Sequence, residues 1–154
     1  MPNDWLPVPH CKQSHDGACL PACARMVLLH LGQDIPEARL ARLLGTRAFG
    51  TPARRLTRLE SLGLQATIGA YSETMLRYWL RQGIPPIVFL QTTALPYWTM
   101  ETYHAVVLVG MTENLVYLND PAIDTAPQVT SLASFLLAWS EFDDLAAILT
   151  RPAS

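Results

Sequence analysis

The 154-residue sequence carries little charge and no excess of either sign. Only 16% of its residues are charged, and the formal net charge is −2. Bulk electrostatics therefore give no reason to expect nucleic acid or an anionic membrane surface as a partner. The basic residues are uneven, since six arginines fall within twenty positions: Arg39, Arg42, Arg47, Arg54, Arg55 and Arg58. We interpret this group as a solvated helical face.

Long apolar runs are also missing. No stretch reaches the roughly 18 apolar residues that a membrane-spanning helix needs. The first ten residues, MPNDWLPVPH, lack the basic start and apolar run of a secretory signal. We therefore expect no membrane span and a cytoplasmic protein.

Cysteine is scarce and odd in number, at Cys11, Cys19 and Cys23. A disulfide framework in a short secreted chain needs an even count, so at least one thiol is expected to be free, and a reducing compartment would leave all three free. His10 and His15 lie near Cys11 and Cys19 in sequence, but their spacing does not match a zinc site with a second ligand pair downstream. We expect neither a metal nor a cofactor.

What the sequence does have is a helical first part and a strand-rich second part. Prolines keep residues 1–16 extended. Helical spacing then predicts helices over 19–31, 36–44, 52–62, 72–81 and 132–139, with Thr51 and Ser72 as N-caps of the third and fourth. A period of two predicts strands over 64–70, 86–91, 103–110, 115–119, 129–130 and 145–150. This order indicates the α+β class, with a mostly antiparallel sheet and a single domain over 1–154.

Cys19 lies where the extended segment turns into the first helix, which is apolar on nearly all sides and should cross the core. The partial positive charge and free N–H groups of a helix N-terminus lower a thiol pKa and favour the nucleophilic thiolate. Most free cysteines are simply small buried residues, and we interpret Cys23, one turn later, in that way.

His104 and Asp120 are the candidate partners of Cys19. His104 begins an apolar strand and Asp120 follows the next one. If the two strands pair across a turn at 111–114, positions that sum to 225 face each other, so His104 lies opposite 121 and beside Asp120. A base oriented by a carboxylate follows the logic of a catalytic triad. Asp124 and Asn119 are the alternatives for the orienting group.

Residue chemistry alone allows two interpretations for each of two further features. Gln13, six residues before Cys19, has a side-chain amide that could donate to an oxyanion together with the Cys19 amide, but it could equally be an ordinary exposed glutamine. Residues 91–103 form a long aromatic-rich connection before His104, which could line a cleft or pack on the core.

Together these segments resemble the papain-like peptidases of the C39 type, which process bacteriocin leaders, and their C39-like relatives. The resemblance runs in order along almost the whole chain, through Gln13, Cys19, Pro21–Cys23, Met26, Gly32, Gly50–Thr51, Gly63–Leu64, Pro85–Ile87, His104–Leu108, Asn119–Ala122, Phe135 and Trp139. One departure is Leu20, because the family often has glycine directly after the nucleophile, whereas here Gly17 precedes it.

The resemblance implies a papain-like fold and a Cys–His–Asp triad of Cys19, His104 and Asp120, with Gln13 in the oxyanion hole. It implies a cysteine peptidase that acts on a peptide or protein through an acyl-enzyme. Other acyl transfer, such as isopeptide cleavage, deamidation or transglutamination, is the alternative within enzymes. A catalytically inactive peptide-binding module of the same fold is the alternative outside them.

Overall fold

A computed structural model of the protein describes residues 4–152. Residues 1–3, the start of the predicted extended segment, lie outside the described residues, as do 153–154. From residue 4 to residue 15 the chain forms no helix or strand, as predicted, and a short 3-10 turn, Asp16–Ala18, leads into the first helix. No helix within 4–152 is long and apolar enough to cross a membrane.

Four α-helices form where helical spacing predicts them: α1 (Cys19–His30), α2 (Glu37–Leu44), α3 (Glu73–Arg81) and α4 (Leu132–Ser140). Most of α1 is buried, which confirms that it crosses the core. Gly45 ends α2 in the left-handed conformation, with a φ of 67° that glycine adopts without strain. Ser72 caps α3, because its hydroxyl accepts from the Met75 amide.

The predicted helix over 52–62 is a 3-10 helix, Ala53–Leu62, instead. Its buried Leu56 and Leu59 are three residues apart, a spacing that α- and 3-10 helices share, so periodicity could not separate them. Thr51 is not its N-cap, since its hydroxyl bonds that of Thr46. The arginine face is also only partly solvated, because Arg55 donates to two carbonyls at the end of α2.

Six strands form one sheet in the order β1-β6-β2-β3-β4-β5, and every described pairing is antiparallel. The strands are β1 (Gln65–Ala70), β2 (Ile87–Gln91), β3 (Tyr103–Met111), β4 (Leu115–Asn119), β5 (Gln128–Ser131) and β6 (Leu145–Thr150). The predicted α+β class is therefore confirmed.

Helices cover both faces of the sheet. Successive side chains of a strand point to opposite faces, so Ile87 and Phe89 join a core cluster with α1, α2 and the 3-10 helix. Val88 and Leu90 join a second cluster with α3 and α4 on the other face. The central strands are apolar on both sides for this reason, which explains why β2 and β3 read as nearly continuous hydrophobic runs.

The predicted register between β3 and β4 is wrong by one or two residues. Val107 faces Asn119, a sum of 226, while Met111 faces Val116, a sum of 227, and the register shifts between Leu108 and Gly110. Strand β3 also runs on to Met111, which shortens the predicted turn. The carbonyl of Val109, within the shift, accepts from the Leu6 amide of the N-terminal segment.

Candidate active site

The sequence positions Cys19 at the first residue of α1 by a close approach that only glycine permits. A Cβ on Gly17 would collide with the carbonyl oxygen of Ala48. Glycine therefore allows the turn 47–50 to lie directly against the start of α1. This contact brings Phe49 and Gly50 to the edge of the cleft that contains Cys19.

The Cys19 thiol is half-buried and lies within hydrogen-bonding reach of His104. Burial alone would raise its pKa. The hydrogen bond and the charge of His104, assisted by the backbone amides of Ala105 and Leu20, outweigh burial and lower the pKa below its usual value. The thiolate is therefore the favoured form over a wider pH range than in a free cysteine.

His104 lies between Cys19 and Asp120. Its Nε2 atom is 2.6 Å from Asp120 Oδ1, and both side chains are buried. Burial disfavours the imidazolium, but the hydrogen bonds and charges of Asp120 and Cys19 raise the His104 pKa to about 9. Asp120 belongs to no strand, and it reaches His104 from just beyond the end of β4 although the predicted register was wrong.

The Asp120 carboxylate is fully buried and accepts four hydrogen bonds. Oδ1 accepts from His104 and from the Ala122 amide at 2.9 Å. Oδ2 accepts from the Tyr97 hydroxyl at 3.0 Å and from Trp98 Nε1 at 2.8 Å. Burial would raise the pKa of this carboxyl, but His104, the Ala122 amide and Trp98 lower it, so the group remains ionised.

Gln13 and Cys19 line different clefts, and His104 lines both. Its backbone amide donates to the Pro121 carbonyl at 2.7 Å, which ties the N-terminal segment to the residue after Asp120. Its side-chain oxygen is buried and has no hydrogen-bond partner among residues 4–152. A buried acceptor without a partner is costly, and such groups recur at functional sites.

The two alternatives for the orienting group make other contacts. Asp124 is exposed and pairs with Lys12. The Asn119 side chain is buried and donates to the Val8 carbonyl at 3.1 Å. Within residues 4–152, no group of three or more His, Cys, Asp or Glu side chains is arranged to hold a metal ion.

Two small clefts meet at His104 and Tyr103. The first, which we name the Cys19 cleft, has a volume of about 140 Å³ and is lined by Cys19, Leu20, Phe49, Thr51 and Phe142. The second, which we name the Gln13 cleft, has a volume of about 130 Å³ and is lined by Gln13, Asp16, Trp98, Met100 and Thr102. Leu20, at the position where the family often has glycine, therefore lines the Cys19 cleft.

Sequence reasoning missed the roles of Tyr97 and Trp98. The sequence allows the aromatic connection 91–103 either to line a cleft or to pack on the core, and the connection does both. Met100 and Thr102 line the Gln13 cleft, while Leu95 is buried in the second core cluster. The signal that could have indicated a further role is the pair of aromatic donors, because a buried Tyr hydroxyl or Trp N–H requires an acceptor.

Solved structures share this fold over nearly the whole chain. A protein of Bacillus anthracis described as a C39-like peptidase has a TM-score of 0.82 at 17% identity, covering 99% of this chain and 100% of that chain. A double glycine motif protease from an AMS/PCAT transporter, in complex with the leader peptide, has a TM-score of 0.76 at 21% identity, covering 97% and 96%. The peptidase domain of Streptococcus ComA has a TM-score of 0.73 at 22% identity, covering 97% and 100%.

Of the two sequence comparisons, one agrees with this fold. A search of curated proteins gave no significant match. The sequence profile of the Peptidase_C39 like family, in contrast, matches residues 5–147, which is most of the chain and includes both clefts. The chain therefore belongs to the Peptidase_C39 like family.

Proposed function

We propose that this chain is a cysteine peptidase that cleaves a peptide bond through a thioester acyl-enzyme. The nucleophile is Cys19, the base is His104, and Asp120 orients the base. The observation that carries the proposal is the continuous contact from a thiol of lowered pKa, through an imidazole of raised pKa, to a buried and fully hydrogen-bonded carboxylate.

The two pKa shifts favour a thiolate–imidazolium pair. The pKa of Cys19 is lowered while that of His104 is raised to about 9, and each charge stabilises the other. Between the two titrations the resting site holds both an attacking anion and a proton donor, so no separate deprotonation has to precede attack. Activity is then lost at low pH as Cys19 is protonated and at high pH as His104 loses its proton.

The chemistry follows from this pair. The Cys19 thiolate attacks the carbonyl carbon, a C–S bond forms, and the carbonyl electrons move onto oxygen. The Gln13 side-chain amide and the Cys19 backbone amide stabilise that oxyanion. His104 donates its proton to the leaving nitrogen as the C–N bond breaks. Water, deprotonated by His104, then attacks the thioester, and the acid product leaves as the thiolate is restored.

A peptide or protein is the substrate that the surroundings favour. Large apolar side chains that remain exposed tend to mark binding surfaces. Phe49, Met100 and Tyr103 are all largely exposed. Phe49 lines the Cys19 cleft, Met100 lines the Gln13 cleft, and Tyr103 lines both. The structure of the AMS/PCAT protease with its leader peptide shows a chain of the same fold in complex with a peptide. The Cys19 cleft would take the acyl side, and the Gln13 cleft the leaving side.

The deciding experiment combines thiol labelling with substrate capture. Iodoacetamide at neutral pH should alkylate Cys19 much faster than Cys11 or Cys23, as read by peptide mapping, because only the Cys19 pKa is lowered. Cys19→Ala should bind a substrate from the source cell without turning it over, and mass spectrometry of the products formed by the unsubstituted protein should identify the new termini.

Each outcome separates the alternatives. New peptide termini support the peptidase, whereas side-chain deamidation or a released isopeptide-linked chain would replace it with another acyl transfer. A bound peptide that the unsubstituted protein leaves intact, together with equal labelling of Cys11 and Cys19, would indicate an inactive binding module.

A further inference from the structure

We propose that Tyr97 and Trp98 are positioning residues for the candidate base: by donating to Asp120 Oδ2, they fix Oδ1 against His104 and so maintain the charged pair with Cys19. This inference rests on the proposed function, and it adds two residues that the triad logic does not assign.

The two oxygens of Asp120 have separate tasks. Oδ1 faces His104 at 2.6 Å and accepts from the Ala122 amide, while Oδ2 accepts, within residues 4–152, from Tyr97 and Trp98. A carboxylate that is held at one oxygen alone can rotate about its Cβ–Cγ bond. The two donors on Oδ2 add to the Ala122 bond in opposing that rotation, because turning Oδ1 away from His104 would also break both of their hydrogen bonds.

The chemical type of the donors suits this task. A Tyr hydroxyl and a Trp N–H are uncharged, so they hold the carboxylate without supplying a second cation that would compete with the imidazolium. Trp98 also packs edge-on against the His104 ring, with ring centroids 4.9 Å apart and an interplanar angle of 63°. One side chain therefore contacts both members of the His104–Asp120 pair.

Hydrogen bonds hold the backbone of the connection that carries these donors. The Thr92 hydroxyl donates to the Met100 carbonyl at 2.7 Å and accepts from the Thr102 amide at 2.9 Å, so one buried side chain joins the two ends of the connection. Leu95, which lies between Thr92 and Met100 in the sequence, is also buried. The Trp98 amide donates to the Leu95 carbonyl. Tyr97 and Trp98 are consequently presented by a fixed loop.

A purely structural role predicts a different result from a positioning role. If the two residues only packed the core, their loss would lower stability without changing the His104 titration. If they only solvated the carboxylate, their loss would leave Asp120 more basic, and the His104 pKa would rise. If they position Oδ1, their loss weakens the contact with His104, and the His104 pKa falls.

The test uses Tyr97→Phe, which removes only a hydroxyl, Trp98→Phe, which removes the N–H but also replaces the indole by a smaller ring, and the double variant. NMR titration of the His104 imidazole should show a midpoint that falls, by roughly one pH unit in the double variant. The rate of Cys19 alkylation by iodoacetamide at neutral pH should fall by about threefold in each single variant and about tenfold in the double, because a weaker imidazolium stabilises less thiolate.

Two matched controls carry the same chemical changes away from the site. Trp139→Phe, in the second core cluster, removes an N–H that donates to the Leu145 carbonyl, and Tyr117→Phe removes a hydroxyl that reaches Asp4. Both should change stability alone. A His104 midpoint that is unchanged or raised in both single variants would overturn the proposal, and should the double variant not fold, the single variants decide. A slow Cys19 in the unsubstituted protein would instead refute the proposed function.

Discussion

Cys19 and Cys23 lie one turn apart on α1, and their thiol pKa values move in opposite directions. Burial raises both. At Cys19, His104 and two backbone amides reverse the effect. At Cys23, which donates to the Ala105 carbonyl at 3.3 Å, the negative charges of Cys19, Asp120 and Cys11 raise the pKa further.

The difference teaches that the partners facing a thiol, rather than its helix, decide its chemistry. Cys19 lies at the first residue of α1, where free N–H groups and His104 are within reach. One turn further in, those N–H groups are used within the helix and the sulfur meets only a carbonyl. An ionised Cys19 also opposes ionisation of Cys23, so the site holds one thiolate at a time.

The largest effect is expected from replacing His104, the partner that makes the pKa of Cys19 differ from that of Cys23. His104→Gln should lower turnover by at least about a thousandfold, because no group remains to protonate the leaving nitrogen. The Cys19 pKa should rise, since burial is then hardly opposed, and its alkylation at neutral pH should slow towards that of Cys23. Peptide-mapped alkylation across pH measures this change.

The control for this variant is His30→Gln, which alters a histidine at the far end of α1 that bonds the Gly83 carbonyl. It should leave Cys19 as reactive as before. Rapid alkylation of Cys19 in His104→Gln would mean that the helix N-terminus alone activates the thiol, and the comparison with Cys23 would then rest on position within α1.

The next largest effect is expected from replacing Gln13, which should lower turnover without changing the ionisation of Cys19. Gln13→Ala should lower turnover by about a hundred- to a thousandfold, the usual consequence of losing an oxyanion donor. Cys19 alkylation should be unchanged within about twofold, because alkylation forms no oxyanion. Gln33→Ala, at a glutamine that accepts from Arg151, is the control. An equal loss in both assays would show that Gln13 acts on the thiolate, and the oxyanion assignment would fail.

Much of this arrangement was accessible from the sequence because it depends on local patterns. The apolar run after Cys19 predicted α1, and strands β3 and β4 placed His104 and Asp120 near each other. Their contact tolerates the wrong register, because Asp120 lies beyond the end of β4, where side chains rather than ladder bonds set the distance.

The rest depends on contacts between distant segments. The register shift in β3 lies where the N-terminal segment meets the strand: Leu6 bonds Val109, and a Cβ on Gly110 would collide with the Asp4 carbonyl. About a hundred residues separate these partners, so no local pattern encodes the shift. The donors Tyr97 and Trp98 were missed for the same reason, since their acceptor follows a strand that comes later in the chain.

A smaller effect is expected at the carboxylate. Asp120→Asn should keep the fold and lose about ten- to a hundredfold in turnover, since an amide oxygen can still accept from His104 but carries no charge. The His104 pKa, raised to about 9 in the folded protein, should fall. The alkaline limb of the pH–rate profile therefore moves to lower pH, because the imidazolium is lost sooner.

Asp124→Asn is the matched control for that profile, because Asp124 is exposed and pairs only with Lys12 among the described contacts. It should match the unsubstituted protein at every pH. The opposite pattern, with Asp120→Asn unaffected and Asp124→Asn or Asn119→Ala impaired, would transfer the orienting role away from Asp120.

The smallest effect is expected at Cys23 itself. Cys23→Ala removes one weak hydrogen bond and leaves a small cavity under β3, so the free energy of unfolding should fall by about 1 kcal/mol. Turnover and the pH dependence of Cys19 alkylation should stay within about twofold, because a thiol whose pKa lies well above its usual value contributes no charge at neutral pH. Denaturant unfolding and alkylation of the same preparation test both statements. A tenfold loss of turnover with stability preserved would mean that the Cys23–Ala105 contact, one residue from His104, positions the base, and the two cysteines would then differ in task rather than in importance.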